Sequence, residues 1–230
     1  MNEMYSKHAK DYAKAIEDNI YNTLYDRPSL LALLKDEKFE NCLDMGCGPG
    51  AYIPELQKFC KKITAIDLSD EFVGMVSKKY PEVNSYVANI SDGLGLEEDS
   101  SFDLVISPLT IHYVEDFEKL FKEVNRVLRP NGVFAFSTHH PVVDFRDSIS
   151  GNYFEREYLT QEWNTLGDTK TKVSFYRRSL SETMNALFKA GFVVEGFSEG
   201  SPSQKIKEIS EERYERLSTK PQFIFIRARI

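Results

Sequence analysis

From Leu43 to Gly50 the chain reads Leu-Asp-Met-Gly-Cys-Gly-Pro-Gly, between the apolar approach Asn41-Cys42-Leu43 and an amphipathic stretch, Ile53 to Phe59. No other segment limits the fold so tightly. The order is strand, glycine turn, helix. Gly46, Gly48 and Gly50 let the backbone turn sharply and bring bare N–H groups toward a ligand. Gly46-x-Gly48-x-x-Ala51 also satisfies the dinucleotide fingerprint, with Asp67 about twenty residues on to take a ribose hydroxyl. A tight turn without a ligand is a third reading. Asp44 separates them: a carboxylate at the mouth of the turn repels a pyrophosphate and welcomes an α-ammonium group.

Strands and helices alternate through the rest of the chain. Met1 to Asn22 carries Tyr12, Ile16 and Ile20 at helical spacing, and Pro28 suits the first position of a short helix running through Leu34. Ile63 to Ile66 reads as a second strand ending at Asp67, with Ser69 capping the next helix. Val83 to Ala88, followed by Asn89-Ile90, is a third strand, and Phe102 to Ser107 a fourth. Phe117, Leu120, Phe121, Val124, Val127 and Leu128 form a helical stripe halted at Arg129-Pro130-Asn131-Gly132, before a fifth strand at Val133 to Thr138. Val142 to Arg178 is longer than a link needs. Within it, Phe154 to Trp163 and Thr171 to Tyr176, around Asn164 to Asp168, read as an aromatic β-hairpin. Ser179-Leu180-Ser181-Glu182 is a capping box, Phe192 to Phe197 a sixth strand of the sheet, Lys205 to Leu217 a surface helix and Phe223 to Ala228 the last strand. The alternation implies a doubly wound sheet, whose ligands sit at the strands' carboxyl ends. Asp44, Asp67, Asn89 and Ser107 fall there.

Asp44-x-Gly46-x-Gly48-x-Gly50 at a first strand end resembles motif I of the class I S-adenosylmethionine (SAM) methyltransferases. Phe102-Asp103-Leu104-Val105-x-Ser107 resembles that family's central strand, and the helix, R-P-N-G turn and strand are most similar to small-molecule methyltransferases of the ubiquinone-biosynthesis type. The resemblance covers roughly Asn41 to Phe197. It implies an α/β fold that is Rossmann-like: a mostly parallel seven-stranded sheet with helices on both faces, an antiparallel last strand, and a β-hairpin cap inserted after the fifth strand. On the same resemblance, residues 1–230 are expected to form one methyltransferase domain, with 1–36 as leading helices over the cofactor and 139–178 as an inserted substrate cap.

The implied cofactor is SAM, leaving as S-adenosylhomocysteine. Its expected contacts are Asp44, Gly46, Cys47, Gly48, Gly50, Tyr52, Asp67, Leu68, Asn89, Ile90 and Ser107, with Tyr5 and Tyr12 at the methionine end. Relatives often carry Asp where Asn89 stands; an amide oxygen can still accept from the adenine amino group. His112 and His140 are the candidate catalytic bases, against the alternative of structural histidines. His139, Tyr153, Trp163 and Tyr176 are candidates for the substrate side, and Arg177 and Arg178 are either surface residues or partners for an acidic ligand group. The implied reaction moves a methyl group to an O, N or C atom of a small organic molecule by in-line displacement. An RNA methyltransferase and a non-catalytic SAM-binding regulator are the alternatives. Ser107 is followed by no Asn/Asp-Pro-Pro-Tyr/Phe motif, which counts against a nucleobase amine as acceptor. No acidic and histidine cluster follows the fourth strand, so no metal is expected.

The net charge of −7 argues against a broad phosphate-binding surface, because the basic residues occur as scattered doublets. Three cysteines without a C-x-x-C pair fit reduced thiols in a cytoplasmic protein. Met1 to Lys14 is too polar for a signal peptide, and no run approaches membrane-spanning length. The expected partner is a small methyl acceptor, with no nucleic acid and no membrane insertion, and the expected state is a monomer or homodimer.

Overall fold

The computed structural model describes residues 2–35, 37–166 and 169–230. The main sheet contains β1 (Phe39–Met45), β2 (Cys60–Asp67), β3 (Asn84–Val87), β4 (Phe102–Ser107), β5 (Leu128–His139), β8 (Val193–Ser198) and β9 (Phe223–Arg229). A separate antiparallel pair, β6 (Glu157–Leu166) and β7 (Thr169–Arg177), is inserted between β5 and the helix that leads to β8. The sheet order is β3-β2-β1-β4-β5-β9-β8. Neighbours from β3 to β5 are parallel, and β9 alone runs against both β5 and β8. The order reverses between β1 and β4, so their carboxyl ends flank a natural crevice.

Alternation along the strands loads both faces. Leu43, Met45, Phe134 and Phe136 pack under α5 (Phe117–Val127) and α7 (Leu180–Lys189). Cys42, Leu104, Ile106 and Ala135 face the opposite layer, which includes α2 (Arg27–Ala32), α3 (Ile53–Leu56), Val76 of α4 (Asp70–Lys79), Ile206 of α8 (Lys205–Ile209) and Leu217 of α9 (Glu211–Thr219). The Phe117 stripe is buried as its spacing predicts, and Asp116 caps α5 by accepting from the Lys119 N–H at 2.9 Å. The remaining helices are α1 (Ala9–Ala15) and α6 (Pro141–Asp144).

Several boundaries differ from the sequence reading, each for a local reason. The helix after the glycine turn is a single turn, because the Phe39 N–H claims the Phe59 carbonyl at 2.8 Å and β2 starts at Cys60. Arg129 to Gly132 does not separate α5 from β5. Leu128 pairs with Phe102 and Val133 with Leu104, so the four residues bulge out of one long strand, with Asn131 at φ +63°. Lys205 to Leu217 is two helices, because Ser210 is extended and caps α9 through Arg213 N–H. The capping box is half made: Ser179 Oγ accepts from Glu182 N–H, but the Glu182 carboxylate turns to Arg156 and Arg178. A π-helical segment, Tyr21–Asp26, precedes α2 where a plain helix from Pro28 was expected. Of the expected hairpin turn, Gly167 and Asp168 lie outside the described residues.

Candidate active site

The carboxyl ends of β1 and β2, the residues after β3 and β4, the leading segment and one face of the hairpin enclose a cavity of about 590 Å³. That lies within the ordinary range for ligand pockets.

The glycine turn forms one wall, but its chemistry differs from the expectation of bare N–H groups. Gly46 and Cys47 donate to the Ile66 carbonyl, Gly48 to Asp67 Oδ2 and Gly50 to the Cys47 carbonyl. These donors are spent, so the turn has no such N–H left to cradle a pyrophosphate. Gly46, at φ +82°, lies so close to the segment after β4 that a Cβ would sit 2.2 Å from Thr110 Cγ2. Gly48, at φ +52°, has open space where a Cβ would stand.

The turn offers acceptors instead. Asp44 is fully buried, and neither carboxylate oxygen has a hydrogen-bond partner among the described residues. Burial, then the nearby Asp67, pushes its pKa up to about 7. An orphaned buried carboxylate in a cavity wall is costly unless a ligand donates to it, and an ammonium group fits. Asp67 closes the next strand. Its oxygens accept from Gly48 and Ser69 N–H at 2.9 Å each, and burial raises its pKa while those bonds pull it back. Each oxygen keeps a lone pair for a ribose hydroxyl. Leu68, Asn89 and Ile90 continue the wall; the Asn89 amide oxygen already accepts from Ser91 N–H, with one lone pair left.

Tyr5 and Tyr12 cover the cavity from the leading segment, edge to face at 4.9 Å, and both rings pack near Phe72. The Tyr5 and Tyr113 hydroxyls share a 2.5 Å hydrogen bond, and burial pushes both phenols well above their ordinary range. Tyr52 and Cys47 also line the cavity. Gly50 and Ser107 do not: Gly50 packs against Ile53, Val76 and Tyr80, while Ser107 Oγ donates to the Met45 carbonyl at 2.8 Å.

Of the substrate-side candidates, Tyr176 alone reaches the cavity. Along β7, Lys172, Ser174 and Tyr176 face it, with Tyr158 paired across from Tyr176. The alternate residues Val173 and Phe175 turn inward, with Leu159, onto Met4 and the half-buried Trp163. Tyr153 accepts from Leu180 N–H at the start of α7. The histidines are also elsewhere. His112 and His139 stack at 3.9 Å beneath Phe175, and burial drives the His112 pKa well down. His140 uses both ring nitrogens, accepting from Val142 N–H and bonding Glu199 at 2.7 Å. Arg177 is fully buried against Glu157 and the Asn152, Tyr153 and Glu155 carbonyls; Arg178 is buried over the Phe117 ring. Neither is a surface arginine. Among the described residues, no group of three or more His, Cys, Asp or Glu is placed to hold a metal ion.

Sequence reasoning missed several wall residues, Asp26, Arg27, Tyr113 and Lys172 among them. Asp26 Oδ1 accepts from Ser137 Oγ and Oδ2 from Tyr52 Oη, each at 2.5 Å, while burial raises its pKa to about 6. Only the π-helical turn swings it inward, and no residue pattern announced that turn.

A doubly wound sheet with an ammonium-seeking carboxylate at one strand end and a ribose-seeking one at the next defines a protein that holds an amino acid joined to a nucleoside. SAM fits that description. The methyltransferase-domain family matches residues 43–136. A SAM-dependent methyltransferase from Mesorhizobium loti superposes with a TM-score of 0.69 at 25% identity, covering 94% of this chain and 100% of that one. A malonyl-[acyl-carrier protein] O-methyltransferase of Legionella pneumophila is 30% identical over 61% of this chain and 50% of its own length. Human thiol S-methyltransferase is 30% identical over 55% of this chain and 52% of its own. The chain thus spans about half the length of those two relatives. Residues 43–136 thus match a methyltransferase domain, and these likenesses support a SAM-dependent methyltransferase with SAM as its cofactor. No helix is long and apolar enough to cross a membrane among the described residues.

Proposed function

We propose that this enzyme methylates a small organic molecule at an atom that ionises unaided, a carboxylate oxygen or a thiolate sulfur. The observation that carries the reading is the enclosure of the cavity. The Asn2 side chain donates to the Ser174 carbonyl and accepts from Ser174 N–H, fastening the leading segment to the hairpin. A chamber closed from two sides suits a metabolite better than a nucleic-acid strand. On this reading 1–230 acts as one domain, with the leading helices covering the cofactor and the hairpin face bounding the acceptor.

Asp44 takes the α-ammonium and Asp67 the ribose, while Leu68, Asn89 and Ile90 bound the adenine. When bound, SAM would supply an electrophilic sulfonium methyl group, whose carbon bonds to an in-line nucleophile as its bond to sulfur breaks and S-adenosylhomocysteine leaves as a neutral thioether. The chain contributes orientation, worth at most roughly 7–11 kcal/mol. Tyr113, Tyr158, Tyr176 and Lys172 line the cavity. The Tyr113 hydroxyl is shared with Tyr5 and the Tyr176 hydroxyl donates to Glu115, so the Tyr158 hydroxyl and the Lys172 ammonium are the donors we assign to the acceptor. Donors hold an acceptor that is already anionic; they do not take a proton from a neutral one. His112 and His140, the expected bases, line no part of this cavity. Two relatives are named for oxygen and thiol acceptors, the malonyl-[acyl-carrier protein] O-methyltransferase and the thiol S-methyltransferase.

Radiolabelled SAM offered with small thiols, monocarboxylic acids, alcohols and total RNA tests the reading. Label should enter the thiol or acid fraction. Label confined to RNA, or to alcohols alone, refutes it.

A further inference from the structure

The hairpin face that bounds the chamber does not offer donors alone. Tyr176 gives its hydroxyl proton to Glu115 Oε2 at 3.3 Å. Glu115 directly follows Tyr113 and Val114, which line the cavity, and its main chain is gripped from the hairpin side. Arg156 and Arg178 both donate to the Glu115 carbonyl, and Arg178 donates also to that of Val114. Arg178 is itself buried over the Phe117 ring. The carboxylate that takes the Tyr176 proton is therefore carried on a held backbone.

A phenol has one proton to give. With that proton spent, Tyr176 offers a ligand only lone pairs, and among the described residues nothing donates to its oxygen. Tyr158 stands directly across the strand pair, with ring centroids 4.7 Å apart, and its hydroxyl has no partner among the described residues. One place on the wall thus sets an acceptor beside a donor. A hydroxyl or a carboxamide answers both, since it gives one hydrogen bond and takes another. Lys172 lies on the same face four residues back along β7, which puts its Cα about 13–14 Å from that of Tyr176. Its ammonium answers an anion.

We infer that the methyl acceptor carries two recognised groups, an anion toward Lys172 and a hydroxyl or carboxamide toward Tyr158 and Tyr176, and that Glu115 is the positioning residue that sets the polarity of Tyr176. The inference rests on the small-acceptor reading of this chamber. Glu3, also on the wall, is the competing partner for a donor on the ligand.

Three acids of one skeleton test it. The phenol of para-hydroxyphenylpropanoic acid gives and takes a hydrogen bond, the ether of its para-methoxy analogue only takes one, and phenylpropanoic acid does neither. Calorimetry on the full chain loaded with S-adenosylhomocysteine should rank the hydroxyl acid first, roughly threefold to tenfold tighter than the methoxy acid, the range for one neutral hydrogen bond. Tyr176→Phe should lose that preference. Glu115→Ala, which frees the phenolic proton, should narrow it likewise, and Glu115→Gln, whose amide oxygen still accepts, should restore it. A merely structural Glu115 would instead lower the melting temperature and weaken all three acids together, which overturns the inference. So would equal binding of the three by wild type, binding of none, or a preference that survives Tyr176→Phe and disappears in Glu3→Gln. Binding in the expected order, with methyl transfer confined to RNA, would support this polarity of the wall and remove the function reading instead.

Discussion

The carboxyl of Asp44 sits where its own burial works against it, and that conflict is measurable. Its pKa moves from the ordinary 3.8 to about 7 through burial and, second, through Asp67. Within that window the folded free enzyme retains a proton that the unfolded chain releases. Stability of the free enzyme should therefore fall as pH rises from about 4 to about 7. The ceiling on that loss is on the order of 4 kcal/mol, at 1.36 kcal/mol per pH unit, and water entering the cavity reduces it. A ligand ammonium reverses the balance, because it binds only the ionised carboxylate. SAM affinity should thus drop about tenfold per pH unit below the Asp44 pKa. A second limb should appear near pH 8, roughly where an α-amino group loses its own proton. Asp44→Asn should abolish the acid limb, weaken SAM, and make the free enzyme more stable at pH 8. Calorimetric titrations and thermal melts across roughly pH 5.5 to 8.5 read both effects. An affinity that stays flat below pH 7, or an acid limb that survives in Asp44→Asn, would refute the reasoning.

Gly46→Ala should cost the fold or abolish SAM binding, because a Cβ there meets Thr110 at 2.2 Å on a backbone at φ +82°; a normal melt with normal affinity would contradict it. Asp67→Ala should weaken SAM roughly tenfold to a hundredfold, the loss of a charge-assisted contact, and calorimetry on the folded variant decides. Trp163→Ala should lower the melting temperature with SAM affinity kept, since the ring packs on the Met4, Leu159, Val173 and Phe175 cluster. Tyr176→Ala should spare the melt and reduce methyl transfer; the opposite pattern would exchange their roles.

The sheet was legible because each strand and helix carries its own period. Phe102 to Ser107 matches its strand to the residue, and the Phe117 stripe is the buried face of α5. Most residues expected around the cofactor share one cavity wall, since Asp44, Asp67, Gly46 and Gly48 lie in one local run or at adjacent strand ends. The acceptor side was not legible. Placing His112 or His140 just beyond a strand end fixed neither ring's direction: Thr138 bonds the His112 ring and Glu199 the His140 ring from distant parts of the chain, and Val142 N–H claims the other His140 nitrogen. Composition marked the hairpin as aromatic, but a period of two decides which aromatics face which way, and Phe175 and Tyr176 are neighbours on opposite faces. Asp26 and Arg27 depended on a π-turn that helical spacing does not encode.

That alternation along β7 divides the strand's duties by parity. Val173 and Phe175 anchor the hairpin to the body, and Lys172, Ser174 and Tyr176 bound the chamber. Changes at 172, 174 and 176 leave the anchoring set untouched, so the chamber's lining is free to drift while the scaffold stays fixed. Single substitutions at those three positions reshape the cavity wall without touching the residues that hold the hairpin down. Insertion of one residue in the strand does the opposite: it swaps the two sets at a stroke and loses both.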